Sequence, residues 1–361
     1  MRYVTSLPAS ASPHRDPITR WLLMVASLIV LMVVVGGFVR LSRAGLSIVE
    51  WDVVTGIVPP LGESAWAESF AEYQQSPEYQ LINEGMSLSD YQRIFYYEWG
   101  HRLLGRIAGF LVIAPLLWFM WRRRLTLIES LPYWGVVAGF GIQGALGWIM
   151  VASGLRDRPV VSHFRLTIHL LAAVLLLGVV LWMALDRVRA TRSPGPEATV
   201  TARVRRLSWI LMGTLVLQLA YGGLVAGLKA GYLSDTWPDM FGQLIPGGLL
   251  SRYEPWWRNL YEALASHWIH RWLAFAVAIV AVAVFAQILR DRTRGEAREA
   301  SFWLLLAVVG QIILGIYVVL LGVPKWFAIA HQGLAIFMFG LVIVIAHQAV
   351  AARRSPGMVP Q

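Results

Sequence analysis

The chain contains no cysteine. That excludes disulfides, thiolate metal ligands, Cys-anchored iron–sulfur clusters and a catalytic thiol, so any metal chemistry must run on histidine and carboxylates. Charge is also scarce: only 14% of the 361 residues are charged, against 57% hydrophobic, and the mean hydropathy is +0.58. This is the composition of a membrane protein and leaves little chain for a soluble domain. Eight apolar stretches, near 21–39, 99–121, 131–152, 166–185, 207–228, 267–289, 302–322 and 326–348, each reach the roughly 20 residues that cross a bilayer. The first follows Arg2, Arg15 and Arg20 as a signal peptide would. Its apolar run is too long for an h-region and ends in "GGFVRLSRAGLS" without a small-residue cleavage site, so it reads as a retained span.

Acidic residues are the scarcer charge, 21 against 31 Lys and Arg. With the N-terminus cytoplasmic, 18 of the basic residues fall on inner segments, and the outer segments carry 10 against 14 acids. The positive-inside rule then puts both termini in the cytoplasm, and the net charge of +10 meets anionic lipid without calling for nucleic acid. The outer loops 40–98 and 229–266 are long. The first is rich in aromatic and acidic residues, which predicts short amphipathic helices on the outer surface.

The chain repeats itself. "GGFVRLSRAGLSIVEWDVVTGIVPP" aligns with "GGLVAGLKAGYLSDTWPDMFGQLIP" at an offset of 186, pairing Gly36 with Gly222, Gly45 with Gly231 and Trp51 with Trp237. "EWGHRLLGRIAGF" aligns with "HWIHRWLAFAVAI" at 169, "QGALGWIMV" with "QIILGIYVV" at 168, and "VSHFRLTIHLLAAVLLLG" with "VPKWFAIAHQGLAIFMFG" at 162. The expected fold is an all-α polytopic membrane protein: two tandem four-helix bundles related by a pseudo-two-fold axis along the membrane normal. The units are 21–185 and 207–348, joined by a cytoplasmic linker 186–206 and flanked by tails 1–20 and 349–361.

Four of the eight histidines respect the duplication: His101 matches His270, and His169 matches His331. Each is expected in about the first two turns of a helix running inwards, so all four lie near the outer face. Two helices offering one imidazole each at one level is how a four-helix bundle holds a haem iron by two axial ligands. Zinc would need further ligands that no unit offers clearly. Haem propionates would need cations, and Arg102, Arg106, Arg165 and Arg271 are the nearby candidates. His14, His163 and His347 carry weaker signals. The copies diverge at Glu98, which corresponds to His267, each three residues before a ligand histidine and on the same helix face. A carboxylate there can act as a base or stabilise developing positive charge, which assigns chemistry to the first unit and a permanent haem to the second. The simpler alternative is that Glu98 pairs with Arg102 at i+4.

"GGFVRLSRAGLS", "PEYQLINEGMSL", "IFYYEWGHRLLGR", "TIHLLAA", "HWIHRWLA" and "AHQGLA" together resemble the haem A synthase family of cytochrome oxidase assembly, in its Cys-free proteobacterial and mitochondrial form. The resemblance covers nearly the whole chain. It implies haem b as cofactor on His270 and His331, haem O as substrate at His101 and His169, and a need for Glu98. The implied reaction oxidises a methyl group of haem O to a formyl group by two hydroxylations, through a geminal diol that loses water. Other members carry a Cys pair in the first outer loop; any redox role of that pair is ruled out here. The implied partners are haem O synthase, oxidase assembly factors, membrane lipid and, left open, a second copy of the chain. A bacterial inner membrane is expected, because no long Arg- and Ser-rich presequence is present. The alternatives are a diheme electron-transfer cytochrome and a haem carrier without catalysis.

Overall fold

The computed structural model describes residues 16–52, 55–155, 159–191 and 200–351. The N-terminal tail to residue 15 with His14, linker residues 192–199 and residues 352–361 lie outside the described residues. All regular structure among the described residues is helical apart from one isolated bridge, Met240 to Gln243. In chain order the α-helices are α1 (Pro17–Leu41), α2 (Gly62–Gln74), α3 (Pro77–Leu81), α4 (Leu88–Trp121), α5 (Leu127–Ala152), α6 (His163–Thr191), α7 (Ala202–Gly227), α8 (Ala263–Arg290), α9 (Glu296–Leu320) and α10 (Lys325–Ala351). All except α2 and α3 are long and apolar enough to cross a membrane, matching the eight expected spans.

Polar caps set where the spans begin. Asp16 accepts from the Thr19 backbone N–H, Ser87 from Asp90, and Thr201 from Val204, while Thr126 and Glu129 form a reciprocal capping box. The Ser87 cap explains the largest departure from expectation. Helix α4 starts at Leu88, not near 99, so His101 is its fourteenth residue, well beyond two turns. His169, His270 and His331 are the seventh, eighth and seventh residues of α6, α8 and α10, close to what the sequence predicts.

One compact unit comprises Ser27–Ala173. The loop between α1 and α4 holds the expected short helices, but they make a core of their own. Trp66 and Tyr73 of α2 pack on Tyr91 and Phe95 of α4, with the Tyr73 and Tyr91 rings stacked at 4.9 Å. Asn83 donates to the Tyr73 hydroxyl at 2.7 Å, and burial pushes that phenol up to about 12. The early part of α4 is therefore a post against which the loop folds.

The other unit comprises Met1–Ala26 with Val174–Gln361. In it α7, α8, α9 and α10 close a ring, α7 on α8, α8 on α9, α9 on α10 and α10 on α7. The loop between α7 and α8 is tied by Asn259, whose amide donates to the carbonyls of Leu250, Tyr253 and Trp256 and accepts from Tyr253 N–H. Buried His347 pairs with Asp186 at 2.8 Å. Asp16 accepts from Arg187 at 2.8 Å. Burial pushes the Asp16 carboxyl up, but the bonds from Arg187 and Thr19 and the Arg187 charge outweigh this and hold it below its usual range. A depressed carboxyl stabilises the fold above its unfolded range, and that contribution is lost as pH falls through the folded value. Asp16→Asn should lower the unfolding temperature in detergent at neutral pH and flatten its fall between about pH 5 and pH 3. An unchanged acid-side slope would show that the pair contributes nothing.

Candidate functional site

Glycine backs every one of the four matched histidines. A Cβ added at Gly36 would stand 3.1 Å from His101 Nε2; at Gly147, 3.3 Å from His169 Cε1; at Gly222, 3.2 Å from His270 Cε1; and at Gly315, 3.1 Å from His331 Cε1. These distances are tighter than ordinary contact, so each imidazole lies on helix backbone where a side chain would hold it off. The pattern follows the duplication: Gly36 and Gly222 occupy matched places on α1 and α7, and Gly147 and Gly315 on α5 and α9. Gln143 and Gln218, each four residues before such a glycine, donate to the main-chain carbonyls of His169 and His270. All four histidines are half-buried.

The structure brings His270 and His331 together, with ring centroids 6.3 Å apart and planes at 74°. Two imidazoles on opposite sides of one metal ion, each bound about 2 Å away through a nitrogen about 1.1 Å from its ring centre, stand about 6 Å apart. His101 on α4 and His169 on α6 belong to the unit Ser27–Ala173. Nδ1 of His169, His270 and His331 is buried without a hydrogen-bond partner. Among the described residues no three His, Cys, Asp or Glu are placed to hold a metal ion. A metal at these pairs would have to bring its remaining ligands with it, as porphyrin iron does. The residues present thus fit a bis-imidazole haem and not a zinc site of protein ligands.

Glu98 is 3% exposed on α4 and fully engaged. Its Oε2 accepts from Ser47 N–H and Ser47 Oγ, both at 2.8 Å, and from Ile48 N–H at 3.0 Å. Its Oε1 accepts from Arg102 Nε at 3.1 Å and Nη2 at 2.6 Å. The i+4 pairing with Arg102 is therefore present, and the carboxylate also latches the loop after α1 to α4. Its charge is fixed in place by five donors.

The arginines expected as anion anchors all donate to main-chain carbonyls. Arg102 holds those of Ile48 and Glu50, Arg106 that of Asp52, Arg165 that of Ile149, and Arg271 those of Ser234, Thr236 and Asp239. Arg102, Arg106 and Arg271 thereby clamp loops beside the histidines, whereas Arg165 ties α6 to the last turn of α5. The contacts given to Arg102 and Arg271 leave each guanidinium about one N–H to offer. The sequence reading missed these clamps, the glycine seats and the Ser47–Ile48 latch. The matched glycines at offsets 186 and 168 were the available signal for the seats.

Residues 19–343 match the family model described as cytochrome oxidase assembly protein. A relative named Heme A synthase from Bradyrhizobium diazoefficiens is 41% identical over 99% of this chain and 98% of its own length. Others of that name, from Bradyrhizobium sp. strain ORS 278 and Sphingopyxis alaskensis, are 40% and 37% identical over 97% and 94% of this chain, covering 96% and 94% of their own lengths.

Proposed function

The chain belongs to the cytochrome oxidase assembly protein family that includes heme A synthases, and we propose that it makes haem A from haem O in a bacterial inner membrane. The observation that carries the site assignment is the set of four glycine-backed histidines, two to each unit. His270 and His331 would hold haem b, which when bound supplies one-electron transfer. His101 and His169 would hold the substrate haem O in the other unit. The long apolar helices give its hydrocarbon tail a medium in which to lie.

The chemistry assigned is four-electron oxidation of a haem O methyl group to a formyl group by two hydroxylations, each passing two electrons to an acceptor outside the chain and adding one oxygen atom from O2 or water, the second giving a geminal diol that loses water. Gly36 and Gly147 let the His101 and His169 rings approach the backbone of α1 and α5, which fixes their positions and so orients the substrate. The Ser47 and Ile48 donors hold the Glu98 carboxylate three residues from His101, where it would stabilise positive charge developing at the reacting carbon. Its saturation by five donors favours this electrostatic role over that of a free base. Arg102, Arg106, Arg165 and Arg271 would serve haem propionates only with N–H groups left over from their main-chain bonds. The Lys and Arg distribution supports cytoplasmic termini and haem sites towards the periplasmic side. Haem O synthase, further assembly factors or a second copy of the chain are the partners that such a step would engage.

The test is to express the full chain in cells supplied with haem O, extract the haems and separate them by chromatography. Haem A or a hydroxylated haem O should accumulate and should vanish with His101→Ala. Haem O alone, with the protein present in the membrane, would overturn the reading as an enzyme and leave that of a carrier.

A further inference from the structure

The two units build the same clamp with one difference. The arginine following the histidine, Arg102 or Arg271, donates to loop carbonyls that themselves match at an offset of 186: Ile48 and Glu50 in one unit, Ser234 and Thr236 in the other. Arg102 is neutralised by Glu98. Arg271 has instead His267, whose Nε2 accepts from Arg271 Nε at 3.0 Å. A ring nitrogen that accepts from a guanidinium carries no proton, so this arrangement is that of a neutral imidazole. His267 is 2% exposed and Arg271 is 9% exposed. Among the described residues no carboxylate forms an ion pair with Arg271, and that of Asp239 acts on it only from farther off. The second unit therefore buries one more positive charge beside its histidine than the first, and a guanidinium does not lose that charge.

We propose that His267 is a positioning residue for redox poise: by leaving Arg271 without an ion-paired carboxylate it raises the reduction potential of the haem held by His270 and His331. The inference rests on the reading that this pair holds haem. Reduction adds an electron to the iron, and a buried cation nearby favours that state because little solvent screens it. Groups around the axial ligands are a recognised means of setting haem potential. The sequence difference at 98 and 267 then gives two otherwise similar sites different electrostatics, a fixed anion where substrate is oxidised and a net cation where the permanent haem sits.

The experiment is a redox titration of purified full-length protein, followed by the low-spin haem absorption, for the parent, His267→Glu and His267→Gln. His267→Glu should shift the reduction equilibrium at least tenfold towards the oxidised form, 59 mV for one electron. Neutral His267→Gln should stay near the parent, with the same absorption spectrum. Arg271→Gln removes the same charge from the other side and should shift the equilibrium in the same direction as His267→Glu, so the test survives if one variant does not accumulate. Equal potentials for the parent and every charge-changing variant that retains the low-spin spectrum overturn the inference. A parent protein whose haem spectrum does not depend on His270 overturns the haem assignment, and the inference with it.

Discussion

Glu98→Gln is expected to abolish haem A formation, by at least about a hundredfold, while both histidine pairs keep their haems. Glutamine has nearly the shape of glutamate, but it replaces one acceptor oxygen by an N–H donor. Oε2 meets Ser47 N–H, Ser47 Oγ and Ile48 N–H, and Oε1 meets two Arg102 N–H groups. Whichever way the amide turns, its NH2 faces donors. The substitution also leaves Arg102, whose side chain is 10% exposed, without its counter-charge. Removing one partner of a buried pair costs about 3–5 kcal/mol. Two effects thus coincide, loss of the anion on which the proposed chemistry relies and loosening of the loop latch. Ser47→Ala separates them: it removes one of the five hydrogen bonds and keeps the charge, costing about 1 kcal/mol of latch stability and no more than about tenfold in rate. The measurement is haem extraction and chromatography from membranes with equal amounts of each protein. Normal haem A production by Glu98→Gln would remove Glu98 from the mechanism, and equal losses in both variants would reduce it to a structural latch.

What the sequence made legible was whatever the physics of one helix or one repeat decides. Hydropathy placed all eight spans because length and apolar content are local properties. Self-alignment paired His101 with His270 and His169 with His331, and the glycine seats pair in the same way at their own offsets of 186 and 168. The start of α4 was not legible from hydropathy, because residues 88–98 are polar and aromatic. The Ser87 cap and the packing of Tyr91 and Phe95 on Trp66 and Tyr73 hold them helical. The use of Arg102 and Arg271 was hidden for a related reason. An arginine beside a ligand histidine reads equally well as an anion anchor or a backbone clamp until the loop carbonyls that face it are placed. Ser47, 51 residues from Glu98, gave no local sign at all.

Gly315→Val is expected to remove the low-spin haem spectrum as completely as His331→Ala or His270→Ala does. The Cβ of any side chain at Gly315 meets His331 Cε1 at 3.1 Å, and valine adds two methyl groups to that Cβ. In a helix the branched side chain has little rotamer freedom to turn away. The imidazole must therefore move, by a few tenths of an ångström for alanine and further for valine, roughly the volume of each added methyl group in a close-packed interior. His331 stands with its ring centroid 6.3 Å from that of His270. That spacing leaves little slack when two metal–nitrogen bonds of about 2 Å must both be made. A graded series follows, with Gly315→Ala shifting the absorption bands and weakening retention, and Gly315→Val losing six-coordinate haem. Gly222→Val should behave alike, since its Cβ would lie 3.2 Å from His270 Cε1. Gly310→Ala serves as the control on the same helix, because its Cβ meets only a leucine methyl at 3.4 Å. The measurement is the reduced-minus-oxidised spectrum per mole of purified protein. Retention of the parent spectrum in Gly315→Val and in His331→Ala would sink the assignment of haem to this pair. Retention in Gly315→Val alone would show that the glycine is no seat for the ligand.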